Sequence, residues 1–170
     1  MPILPPLSDS EVSEDLKTIF EKSKRGSGSD NMVRTYAHNP ELLQSFLQFY
    51  GGIWKGTIDP KLKEMVRYRV ALDGQCMYWQ NARIAWVKRL GLTEEMLQKV
   101  ENYENADLPE LHKTVLRLTD KIVANDVTDR EEIYTILKKD LSNSEIVELT
   151  MAISAFIAFG RVNRFLDLEF

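Results

Sequence analysis

LKEMVRYRVALDGQCMYWQNARIAWVKRLGLTEEML, residues 62–97, repeats its apolar side chains at three- and four-residue steps and contains no sustained period-two run. That is the pattern of helices and not of strands. Asp59 and Pro60 precede it as a cap and first-turn pair. Gly74 interrupts the run, so Cys76 falls in the first turn of a second helix that continues to Leu90. Gly91 then supplies a left-handed stop and Thr93 caps the next segment. On the first helix Glu64, Tyr68, Ala71 and Gln75 form one stripe, and on the second Cys76, Trp79, Gln80, Arg83 and Val87 share a face.

The same punctuation recurs outward in both directions. Asn39 and Pro40 open PELLQSFLQFYGGIWK, Ser8 with Glu11 has capping-box spacing before EVSEDLKTIFEKSK, and Pro109 starts ELHKTVLRLTDKIVAND. Thr128 with Glu131 and Ser142 with Glu145 are further capping boxes, the second opening the long closing helix EIVELTMAISAFIAFGRVNRFLDL. The chain therefore reads as an all-α bundle of about seven or eight helices. GSGSD at 26–30 offers backbone freedom without core contacts, which divides the chain into an amino-terminal helical arm and linker (1–31) and a helical domain (32–170), one domain overall. The closing helix is apolar around most of its circumference and carries Ala152, Ser154, Ala155, Ala158 and Gly160, which permit close helix approach. This predicts a homo-oligomer with that helix at or near the subunit contact.

The totals exclude several classes of function. With 22 Lys+Arg against 26 Asp+Glu, the net charge is -4 with the signs interspersed, so no basic footprint for nucleic acid exists. The run MAISAFIAF at 151–159 is about half of the roughly 20 residues a membrane span needs. MPILPPLSDSE lacks the basic region of a signal peptide. A single cysteine excludes an internal disulfide and suits a reducing compartment, so the expected location is the cytoplasm. His38 and His112 have no ligand partners at metal spacing, and no dinucleotide or phosphate-loop fingerprint is present. Neither a metal nor a cofactor is expected.

Cys76 has two readings. One is a packed thiol behaving as a small hydrophobe. In the other, the unpaired amides of a helix start favour the thiolate of an exposed, reactive sulfur. Arg83 shares its face and reaches toward the sulfur or toward Glu64, while Tyr78 and Trp79 offer apolar walls. Arg67 and Arg69 also follow Glu64, but on an ideal helix they point about 200° apart and cannot both face one pocket.

Residues 62–97 resemble the core of the carboxymuconolactone decarboxylase family, especially its alkylhydroperoxidase D-like branch. There a glutamate is followed after eleven residues by Cys-x-x-Cys, and then by a histidine four positions past the second cysteine. AHNPELLQSFLQFYGG resembles the family's upstream helix and FGRVNRFLD its final helix, so the likeness spans roughly residues 32–167. It implies an all-helical fold assembling as a dimer, trimer or hexamer, and an oxidoreductase of peroxidase or peroxiredoxin type with an antioxidant role.

Glu64 matches the family's glutamate and Cys76 its first cysteine, but Trp79 stands at the second cysteine and Arg83 at the histidine. Tryptophan forms no disulfide and arginine does not release a proton near neutral pH, so the dithiol cycle is not expected. Three readings follow. One is single-cysteine peroxide chemistry at Cys76 with Glu64, resolved by an external thiol. Another is a decarboxylase-like or organic-acid-binding protein using Glu64 and Arg83, with Tyr68, Tyr78 and Trp79 in its pocket and a small molecule as substrate. The third is a non-catalytic oligomeric binding module. A Glu64–Arg83 ion pair is the expected product of the two substitutions.

Overall fold

Side-chain caps set four of the helix starts in the structure, a computed structural model that describes residues 2–170. A 3₁₀ turn at Asp9–Glu11 leads into α1 (Glu14–Ser27), α2 (Asn31–Tyr36), α3 (Pro40–Trp54) and α4 (Pro60–Asp73). The short α5 (Met77–Asn81), α6 (Ala85–Arg89) and α7 (Glu94–Gln98) follow, then α8 (Glu110–Val123), α9 (Arg130–Leu137) and the long α10 (Asn143–Phe165). No strand occurs among the described residues. The fold is the all-α bundle that the periodicity implies.

Asn39 accepts from the Leu42 amide, Asp59 from Lys61 and Thr93 from Met96, and Ser142 with Glu145 closes a complete capping box. Gly91 adopts φ 95°, the left-handed stop that its position demands. Other expectations change. The Ser8–Glu11 box caps the 3₁₀ turn, and α1 begins after Ser13. Thr128 caps nothing; its hydroxyl bonds Asp126 and Lys121, and α9 starts after Asp129 at φ 57°. The expected single helix from Cys76 to Leu90 is two pieces, because residues 82–84 leave helical geometry, and this raises the number of helices above seven or eight. Leu90, at the end of that segment, is exposed. The 26–30 connector is shorter than its composition suggests: α1 runs through Ser27, turns at Gly28 (φ 96°), and buries Ser29.

Helices α4 and α10 form the centre, with α8 across α4. Leu62, Val66 and Val70 of α4 meet Leu149, Ile153 and Phe156 of α10 in the main core, each contributing about 1.5–3 kcal/mol by leaving water. A second cluster joins Met65 to Val87, Leu97 and Leu116. A third sets Phe20 of α1 against Val33, Leu43 and Phe46.

One polar lock ties the α3–α4 connection to α10. Glu148 accepts from the amides of Thr57 and Ile58 at 2.9 and 3.2 Å and pairs with Lys63 at 2.5 Å. The Lys63 ammonium, fully buried, also donates to the Ile53 carbonyl at 2.8 Å. The carboxylate sits so close over Gly56 that an added Cβ would displace it, so a larger residue there would disturb the lock.

Candidate functional site

The helix start at Cys76 is assembled by a turn and a tether. Gln75 takes φ 50°, which ends α4, and Arg164 of α10 holds this turn by donating to the Gly74 carbonyl and the Gln75 side chain. Cys76 is then the N-cap of α5, only 2% exposed. Burial pushes the thiol pKa up, and the opposing pull of the Trp79 and Tyr78 amides, Arg67 and Arg164 does not reverse it. Desolvation therefore wins over the favourable end of a one-turn helix. The sulfur borders a small hollow of about 180 Å³ with Asp73, Arg161 and Arg164.

Glu64 is not paired with Arg83. Arg67, one turn along α4, grips it with two bonds: Nε to Oε2 at 2.8 Å and Nη2 to Oε1 at 2.6 Å. Both residues are essentially fully buried. The same guanidinium donates from Nη1 to the Trp79 carbonyl at 2.7 Å and from Nη2 to the Ala82 carbonyl at 2.9 Å. It thereby satisfies the Trp79 carbonyl left open where α5 ends, and shares the Ala82 carbonyl with Arg83 Nη1, which donates to it at 2.9 Å. Arg83 turns outward to Glu94 at 3.0 Å, over the Tyr68 ring. The Glu64–Arg83 pairing is thus corrected: the chain leaves the helix at Ala82, which rotates Arg83 away from α4. Arg69 pairs with Asp120 on another side, as the angular argument requires.

Trp79 fills the volume beside this pair. Its ring lies 5.7 Å from the Arg67 guanidinium carbon, 6.3 Å from the Tyr50 ring and 5.9 Å from the Phe156 ring. Tyr50, Trp54, Arg67, Tyr78, Trp79 and Trp86 contribute to the wall of a cavity of about 600 Å³ between α1, α3 and α5, within the roughly 300–1,000 Å³ of small-molecule sites. Of the residues singled out in the sequence, Tyr78 and Trp79 line it. Glu64 lies behind Arg67, Tyr68 packs in the second core cluster, and Cys76 borders the separate hollow. Arg67 is the residue that sequence reasoning placed least well. Its signal was the three-residue step from Glu64 amid apolar neighbours.

The chain resembles known proteins in one segment of its sequence and in its fold. Residues 40–102 match the model of the carboxymuconolactone decarboxylase family. No curated protein matches the sequence. Among solved structures, the AhpD core of an uncharacterised peroxidase-related protein from Ralstonia eutropha JMP134 superposes with a TM-score of 0.85 at 16% identity, over 99% of this chain and 91% of that one. A peroxidase-related protein from Silicibacter sp. TM1040 gives 0.78 at 20% identity, over 99% and 88%. The debrominase Bmp8 gives 0.81 at 17% identity, over 98% and 90%. A cysteine-to-alanine variant of that debrominase, solved with 2,3,4-tribromopyrrole, superposes equally well. Over residues 40–102 the chain thus matches the carboxymuconolactone decarboxylase family, and as a whole it has the fold of AhpD-like proteins.

Proposed function

We propose that this protein binds a flat, largely apolar small molecule in the aromatic cavity beside Arg67, and that Cys76 does not drive a dithiol peroxidase cycle. The carrying observation is the cavity itself: three tryptophans and two tyrosines around one buried guanidinium. Peroxide chemistry at Cys76 lacks support on two counts. The sulfur is buried with its pKa raised, and Glu64, the proton acceptor of the resembling branch, has both oxygens engaged by Arg67. Organic-acid binding through Arg83 is equally disfavoured, since that guanidinium is paired with Glu94 outside the cavity.

Gly51 supplies the test. It lines the cavity, and a Cβ there meets nothing within 4 Å, so Gly51→Phe fills the space with little strain on α3. Equilibrium dialysis with 2-naphthol is expected to show one saturable site per chain, lost in Gly51→Phe and retained in Cys76→Ser. Binding that survives Gly51→Phe, or hydroperoxide consumption that disappears with Cys76→Ser, would overturn the reading. Titration of the native protein with a thiol reagent is expected to show slow labelling near neutral pH, accelerating on unfolding.

The protein is also proposed to act as a homo-oligomer. Val147, Met151, Val162 and Phe165 are exposed on α10, flanking the small Ser154 and Ala158, and monomers rarely leave such a stripe to water. Light scattering is expected to give a multiple of the chain mass, and Met151→Glu to reduce it. A monomeric wild type removes this proposal. No helix among the described residues is long and apolar enough to cross a membrane.

A further inference from the structure

Resting on the cavity reading above, we infer that the site selects an aromatic molecule bearing a neutral carbonyl, and rejects the corresponding carboxylate. The charge balance of the wall carries this. Lys22 and Arg67 are the charged residues on the lining. Lys22 is exposed at the rim, where solvent and salt screen it. The Arg67 charge is already matched one to one by Glu64, whose two oxygens lie 2.6 and 2.8 Å from it. A second anion brought against this pair would have to share one cation with Glu64 in a water-poor site, which strongly disfavours ionised carboxyl groups.

A neutral acceptor meets no such opposition. A guanidinium has five N–H donors, and Arg67 directs four bonds to protein oxygens, only one of them from Nη1. One Nη1 hydrogen is therefore left for a ligand. The Tyr78 hydroxyl is buried without a hydrogen bond; Ser29 and the Met32 amide lie near its oxygen and hold down a pKa that burial raises, which leaves its proton to donate. The Trp54 indole N–H is also buried without an aligned acceptor, with the Tyr50 hydroxyl nearby. These groups offer hydrogens and ask for an oxygen that carries no net charge, as in an aryl ketone, a quinone or an aromatic lactone. Such a carbonyl accepts a charge-assisted hydrogen bond from Arg67 without disturbing Glu64.

Three probes of nearly equal shape separate the alternatives: 2-acetylnaphthalene, 2-naphthoate and 2-ethylnaphthalene, compared by equilibrium dialysis near neutral pH, where the acid is ionised. The ketone is expected to bind at least about tenfold tighter than either of the others, the effect of one satisfied charge-assisted hydrogen bond. Equal binding of ketone and hydrocarbon would overturn the carbonyl selection while leaving the cavity reading intact. Tighter binding of 2-naphthoate would overturn it in favour of an acid site. Failure of all three to bind would remove the cavity reading and this inference together.

Discussion

Arg67→Ala is expected to cost about 3–5 kcal/mol of folding stability, the range for removing one partner of a buried ion pair. Urea unfolding followed by circular dichroism measures it. The reason is that Arg67 performs two tasks at once. It neutralises Glu64, which is fully buried, and it satisfies the carbonyls of Trp79 and Ala82 where α5 ends. Its removal strands a carboxylate and the Trp79 carbonyl, while the Ala82 carbonyl keeps its bond from Arg83. The double variant Glu64→Met/Arg67→Met separates the two tasks. Replacing a buried pair by apolar residues is often neutral, so the double variant regains the electrostatic part. The Trp79 carbonyl still lacks a donor, at about 1–3 kcal/mol for a buried group left unsatisfied. Partial recovery is thus the expected result; full recovery would show that the carbonyl contacts are dispensable, and a single-variant loss below about 1 kcal/mol would show that the pair contributes no more than a surface one.

Glu148→Ala is expected to be nearly as damaging, again about 3–5 kcal/mol, with unfolding by urea or heat as the measurement. The substitution leaves the Lys63 ammonium buried with one carbonyl partner, and frees the amides of Thr57 and Ile58. Glu148→Gln is milder, because the amide oxygen still accepts from one of those donors while the charge on Lys63 goes unmatched. Loss in Glu148→Gln equal to that in Glu148→Ala would assign the whole effect to charge. No loss in either variant would mean that water replaces the carboxylate and that the connection needs no lock.

Much of the fold was legible because its signals are local. Caps at Asn39, Asp59, Thr93 and Ser142 are satisfied by amides two or three residues away, so a sequence that places them there fixes the helix starts with no help from the rest of the chain. The exceptions are instructive. Ser8 with Glu11 and Thr128 with Glu131 have the same spacing, yet one caps a 3₁₀ turn and the other bonds Asp126 and Lys121 instead. A capping side chain has several local acceptors and donors to choose from, and packing decides among them.

The candidate site was legible only in its parts. That Trp79 cannot form a disulfide and Arg83 cannot relay a proton near neutral pH follows from the chemistry of indole and guanidinium, wherever they point. The sequence alone thus determined an all-helical chain with a single thiol, which has no second cysteine in the chain to pair with. Which arginine meets Glu64 was decided by a break in helical geometry at residues 82–84, where the path of the chain turns Arg83 to Glu94 and leaves Arg67 to the interior. Burial decided the state of Cys76 in the same way, since an amide-rich helix start favours a thiolate only if water or a cation supports the charge. Side-chain identity and spacing act over a turn or two of backbone, whereas the pairing of buried charges and the solvation of a thiol depend on segments brought together by packing. Those belong to the tertiary structure.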